Sequence, residues 1–119
     1  MTRAVLPLAI LTAAILFLTQ SGVAQTHSAS ASHANGAHIF RTSCAMCHGD
    51  DGTGTAMGQS LHIPNLRSAM VQKKSNAALE RFISDGSGAM PPFKTTLSHQ
   101  QTLDAVHYVR SFRGHREAR

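Results

Sequence analysis

The sequence has no tryptophan, one tyrosine and five phenylalanines, and only 14% of its residues are charged. So few aromatics leave no stacking platform to accompany a net charge of +5, and basic charge alone reads as solvated surface rather than a nucleic-acid footprint. Cysteine is nearly absent, with two in the chain. A four-cysteine zinc site is thereby excluded, and if both thiols serve one site none remains for a structural disulfide. No apolar run reaches the roughly 20 residues that a bilayer-spanning helix needs, since the longest, Ala4 to Leu18, is interrupted by Pro7 and Thr12. With Arg3 ahead of it and Gly22-Val23-Ala24 behind it, this run has the layout of a secretory leader. Residues 1–24 are therefore expected to be a cleaved signal peptide rather than a retained anchor.

A chain of 119 residues that loses a leader holds one small domain, and a remainder this poor in apolar residues is hard to stabilise by burial alone. Gln25 to Ala34 is built from Ser, Ala and His with almost no apolar bulk, so residues 25–34 are expected to be a flexible segment. His27, His33 and His38 are read as solvated rather than as metal ligands.

What is present is the run Cys44-Ala45-Met46-Cys47-His48. Two cysteines two residues apart, followed at once by a histidine, have the attachment spacing of a c-type haem. Both thiols would add to the haem vinyl groups, and His48 would become an axial ligand. Other readings of the same residues are a thioredoxin-like redox pair, a zinc site using Cys44, Cys47 and His48, and a plain disulfide. The first needs a strand-helix-strand pattern that is not found, and the second needs adjacent Cys47 and His48 to act as tetrahedral ligands without a second CxxC. A covalent haem would also supply the core that the composition lacks.

Around this motif the pattern is helical. A first helix is expected from near Asn35 to Cys44, capped by Ser32 or Asn35, with Gly36, Phe40 and Cys44 on one face. The glycines from Gly49 to Gly58 read as loop, without the strand or the Gly-Lys-Ser/Thr of a phosphate-binding loop. A short helical turn is expected over Ser68 to Gln72. Ser75 should cap a helix in which Leu79, Phe82 and Ile83 share a face and Gly86 is the C-terminal cap. Ser98 with Gln101 forms a capping box for a last helix carrying Ala105, Tyr108, Val109 and Phe112, terminated at Gly114, with Arg110 and Arg113 offsetting its dipole.

The second informative stretch is Gly86-Ser87-Gly88-Ala89-Met90-Pro91-Pro92-Phe93. Its glycines leave the backbone free to approach a flat cofactor, and its prolines stiffen the loop, which suits Met90 as a sixth ligand. Met57, Met70, His62 and His99 are the other donors that could take that position.

Taken together, Cys44 to His48, the upstream Gly36 and Phe40, Pro64-Asn65-Leu66, the Met90 to Phe93 loop and the closing helix with Tyr108-Val109-Arg110 resemble a bacterial monohaem class I cytochrome c. The resemblance implies an all-α fold of three to five helices wrapped around one covalently attached haem c, with 35–114 as the cytochrome domain and 115–119 as a basic tail. It implies that Gly36 and Phe40 meet Tyr108, and that the carbonyl of Pro64 accepts a hydrogen bond from the His48 imidazole. Many relatives place a large aromatic beside a haem propionate. Here there is no tryptophan, and Arg67, Gln59 and Ser60 are the candidates for that contact.

With His48 and Met90 both on iron, the site has no open position and suits electron transfer rather than catalysis. The expectation is a one-electron carrier in a periplasmic respiratory or dehydrogenase-linked chain, without a chemical substrate of its own. Its partners would be a dehydrogenase, a cytochrome complex or a terminal oxidase with an acidic docking surface, and neither nucleic acid nor a membrane span is expected. Lys73, Lys74, Lys94, Arg110, Arg113, Arg116 and Arg119 are the candidates for a positive rim. The alternatives are a haem enzyme or gas-binding protein with an open or labile sixth position, or a dedicated cytochrome subunit of a larger complex.

Overall fold

The computed structural model describes residues 23–114. Residues 1–22 of the expected leader 1–24 and the tail 115–119 lie outside the described residues. The chain divides into two units, residues 1–30 and 31–119. Of the first, only 23–30 is described, and it is helical. In order, the elements are α1 (Val23–Ile39), a π-helical stretch (Phe40–Cys44), α2 (Ala45–His48), α3 (Ala56–Ser60), α4 (Ala69–Gln72), α5 (Asn76–Asp85), α6 (His99–Ser111) and a 3₁₀ turn (Phe112–Gly114). Among the described residues there is no strand, only an isolated bridge between Ser87 and Met90, and no helix is long and apolar enough to cross a membrane.

The segment 25–34, expected to be flexible, is helical throughout. Its alanines are the strongest helix formers, and from Ser32 onward tertiary bonds hold the helix. Ser32 and Asn35, expected as caps, instead donate across to α6. The Ser32 hydroxyl bonds Oδ1 of Asp104, and the Asn35 amide lies 3.5 Å from Oδ2. Gln100 donates a third bond to Oδ1 at 3.0 Å.

Asp104 is only 3% exposed. Burial pulls its carboxyl upward, but the hydrogen bonds from Ser32, Gln100 and Asn35 outweigh that and hold it below its ordinary value of 3.8. A carboxylate whose value is depressed on folding contributes stability above its unfolded value, and that contribution is lost as pH falls through the lower folded value. The wild-type protein should therefore lose stability steeply below about pH 4, and Asp104→Ala should flatten that limb while costing about 1–3 kcal/mol at neutral pH. Urea denaturation at stepped pH measures both. A variant with an unchanged acid limb would show that this carboxylate does not link the helices.

Gly36 makes the α1–α6 crossing possible. A Cβ built there would collide with the backbone carbonyl of Asp104 and would lie 2.9 Å from Cβ of Tyr108, so any side chain would push the helices apart. One turn later Phe40, 1% exposed, packs its ring 5.2 Å from Tyr108 and 5.2 Å from Phe112, and those two are 5.3 Å apart. Tilted and edge-on aromatic pairs of this kind contribute roughly 0.5–1.5 kcal/mol each beyond area burial. The meeting of Gly36 and Phe40 with Tyr108, implied by the resemblance, is thus present. Leu66, Val71, Leu79, Val106 and Val109 extend this core.

The helix widens after Ile39 for a local reason. Thr42 donates its hydroxyl to the carbonyls of His38 (3.0 Å) and Ile39 (3.2 Å), competing for acceptors that the helical ladder would use. At the other end of the chain the capping box forms as expected, with Gln101 N–H bonded to Ser98 Oγ at 3.2 Å and Ser98 N–H to Gln101 Oε1 at 2.8 Å. The helix ends at Ser111 and passes into the 3₁₀ turn, rather than running on to Gly114.

Arg110 and Arg113 do something the sequence did not suggest. Arg110 donates to the carbonyls of Gln72 (3.0 Å) and Lys74 and to Asn76 Oδ1 (2.8 Å), and Arg113 donates to the Gln72 carbonyl (2.7 Å). They satisfy the open C-terminal end of α4 and the turn after it. Buried Gln72 completes the joint, its amide donating to the carbonyls of Leu66 (2.7 Å) and Val109 (3.0 Å).

Candidate functional site

Cys44 ends the π-helical stretch, and Cys47 and His48 occupy the short α2. Four residues cannot sustain a helix alone, and α2 is held from outside. Its carbonyls at Met46 and Cys47 accept from the Thr55 hydroxyl at 2.9 and 3.2 Å, Cys47 O also accepts from Thr55 N–H at 3.0 Å, and His48 O accepts from Gly54 N–H at 2.7 Å. Thr55 in turn caps α3, its hydroxyl accepting from Gly58 N–H at 3.1 Å. This segment was expected to be loop throughout. The cap signal at Thr55 was there to find, but it lay among glycines that read as turn.

Met90 comes from the loop after α5. Gly86, at φ +73, turns the chain out of the helix, and its N–H bonds the carbonyl of Phe82 at 3.0 Å. A Cβ at this position would lie 2.5 Å from the Met90 carbonyl and 2.9 Å from Pro91, so glycine is required by both conformation and space. Ser87 and Met90 exchange backbone bonds at 3.1 and 3.0 Å, and Phe93 and Lys94 N–H groups return to the carbonyls of Ile83 and Ser84. The loop is folded back along α5, with Met90 half-buried.

These pieces line one slot. A cavity of about 350 Å³ is walled by Cys44, His48, Pro64, Leu79, Ile83 and Met90 among others. A second, of about 260 Å³, shares Cys44, His48 and Met90 with it and adds Cys47. The larger falls within the range of ordinary cofactor pockets, roughly 300–1,000 Å³. Leu79, Phe82 and Ile83, whose spacing read as core, face this cavity.

The electrostatics suit ligands delivered neutral. Burial lowers the His48 imidazole below its ordinary value, leaving the ring uncharged and its lone pair free. Burial first, and Cys47 second, push the Cys44 thiol up to about 11, so it stays protonated at neutral pH. His48 is 8% exposed, and its Nδ1 is buried without a hydrogen-bond partner. Pro64 lines the cavity with it, but the bond to the Pro64 carbonyl implied by the resemblance is not formed in this structure. The two cysteines are not joined, and among the described residues no group of three or more Cys, His, Asp or Glu is placed to hold a metal ion. An apolar slot with two free thiols for attachment, and an orphaned imidazole and a thioether as donors, fits a covalent haem.

The other candidate ligands separate cleanly. Met57 rests 3.9 Å from the Cys47 sulfur and lines neither cavity. His99 pairs with Glu80 at 3.0 Å and lines neither. Met70 and His62 border the larger cavity only, whereas Met90 borders both together with His48. Of the residues considered for a propionate, Gln59 and Ser60 are exposed and border neither cavity. Arg67 is turned away, its Nε 2.8 Å from the Asp51 carbonyl.

Comparison with known proteins agrees with this geometry. The family model for cytochrome c oxidase, cbb3-type, subunit III matches residues 31–109. Cytochrome c6 of Synechocystis sp. is 34% identical over 76 residues, which cover 64% of this chain and 62% of that protein. The chain thus spans under two thirds of the length of that curated relative. Among solved structures, the c-type cytochrome KustC0563 superposes with a TM-score of 0.62 at 32% identity, over 65% of this chain and 95% of that one. With these matches and this slot, the chain belongs to the cytochrome c family, as a class I monohaem member carrying one covalently attached haem c.

Proposed function

We propose that this chain carries single electrons, with Cys44 and Cys47 bearing the haem thioethers, His48 and Met90 as axial ligands, and Pro64 as the outer partner of the His48 imidazole. The observation behind this reading is that His48 and Met90 line the same two cavities, with Cys44 in both and Cys47 in one. Bound there, haem iron supplies a one-electron couple. The residues hold it and keep water away. Thr55 and Gly54 fix the turn carrying His48, the Gly86 turn and the two prolines fix Met90, and the apolar walls exclude solvent. A neutral thioether favours Fe(II), and two protein ligands leave no coordination position for a substrate, so the chain is not an enzyme on this reading.

On this reading residues 1–24 are an export leader ahead of the cytochrome domain 35–114, and the protein works in the periplasm, in a respiratory or dehydrogenase-linked chain. The partner would be a dehydrogenase, a cytochrome complex or a terminal oxidase that presents an acidic surface. The positive rim is smaller than the sequence suggested. Among the rim candidates that the structure describes, Arg110 and Arg113 are committed to backbone carbonyls, Lys94 pairs with Asp85 at 3.4 Å and Lys74 is half-buried on the cavity wall, so Lys73 is the exposed one left for docking.

A closed coordination sphere has a direct test. Reduced protein equilibrated with carbon monoxide at neutral pH should show an unchanged absorption spectrum. A shifted Soret band under carbon monoxide would replace the carrier reading by a gas-binding or enzymatic one, with Met90 labile or absent from iron.

A further inference from the structure

The two cavities divide the polar groups between them. The smaller holds both cysteines, and its wall contains no lysine or arginine. The larger reaches Cys44 but not Cys47, and takes in Lys74, His62 and Ser87 beside otherwise mostly apolar walls. A haem attached through its vinyl groups has those groups on one half of the ring and its two propionate carboxylates on the other. Thioethers at Cys44 and Cys47 would direct the carboxylates away from Cys47, and Lys74 and His62 line the cavity that Cys47 does not border.

We propose that Lys74, together with His62, binds the haem propionates; the proposal rests on attachment at Cys44 and Cys47. Lys74 is half-buried, with Nζ 5.2 Å from the centroid of the Phe82 ring on the same cavity wall, and its own carbonyl is anchored by Arg110. Among the described residues no carboxylate pairs with it, so its charge is free for an anion in the slot. His62 stands on the same wall with its backbone in the left-handed region, φ 55, where among the described residues no other non-glycine residue is found. Arg67, the cation the sequence suggested, is spent on Asp51. Two carboxylates against mostly apolar walls without a cation would be costly, and among the described residues Lys74 is the lysine or arginine that borders the larger cavity.

The test uses the purified holoprotein, with two readouts: the midpoint potential, and the propionate bending mode in resonance Raman spectra. Lys74→Gln should lower the potential, because a nearby cation favours Fe(II), and should shift the propionate mode. Lys74→Arg should return both toward wild type. His62→Ala should shift the mode again when combined with Lys74→Gln. Lys73→Gln, which changes an exposed neighbour outside the slot walls, should leave the mode where it was. A mode unmoved in both Lys74→Gln and the double variant would overturn the proposal, as would potential shifts of equal size in Lys74→Gln and Lys73→Gln. Acidic acetone extraction of the wild-type protein keeps the two readings apart, since release of free haem would overturn the attachment reading and this orientation with it, whatever the variants show.

Discussion

Met90→His should keep the haem and lower its midpoint potential by on the order of 0.2 V, a part of the about 0.8 V range over which axial ligands move haem potentials. Imidazole is a stronger donor than a thioether and stabilises Fe(III). The substitution tests the ligand rather than the loop, because the backbone bonds of Met90 to Ser87 and the glycine turn at Gly86 do not involve the side chain. Redox titration reads the shift. A potential equal to wild type would remove Met90 from the iron, and Met70 and His62, which also border the larger cavity, would be the next residues to replace.

Cys44→Ser combined with Cys47→Ser should abolish holoprotein and leave a chain that does not fold stably. The slot at its larger part measures about 350 Å³, and at about 24 cal/mol per Å³ an unfilled volume of that size would cost roughly 8 kcal/mol, an upper figure because the walls would close partly. That compares with the 5–15 kcal/mol that holds a typical domain together. The aromatic triangle of Phe40, Tyr108 and Phe112 stands beside the slot rather than in place of it, so it cannot carry the domain alone. Pigment content and far-ultraviolet circular dichroism of the purified protein are the checks. A folded, red double variant would show that the haem is held without thioethers.

How much could be read from the sequence depended on how local each signal was. The capping box at Ser98 and Gln101, the helical turn over Ser68 to Gln72, the Ser75 cap and the Gly86 terminus are set by residues within a few positions of each other, and the structure has each of them. Gly36 and Phe40 against Tyr108 followed from the family resemblance rather than from any spacing. What escaped depends on distant partners. Ser32 and Asn35 look like caps until Asp104 is brought opposite them, and Ala and Ser without apolar bulk look flexible until alanine propensity and that contact act together. Arg110 and Arg113 look like free charge on the last turn of a helix, and only the fold shows the carbonyls of Gln72 and Lys74 beneath them. Thr55 has an ordinary cap signature, masked by the glycines around it. For the site itself, the sequence named the candidate residues, but only the slot shows which of the candidate donors border it.

The most direct measurement of the central claim is the absorption spectrum of the ferric protein at neutral pH. Coordination by His48 and Met90 predicts a low-spin spectrum with the weak long-wavelength band of methionine-to-iron charge transfer, lost in Met90→His. A high-spin spectrum, or a low-spin one without that band in the wild-type protein, would contradict it.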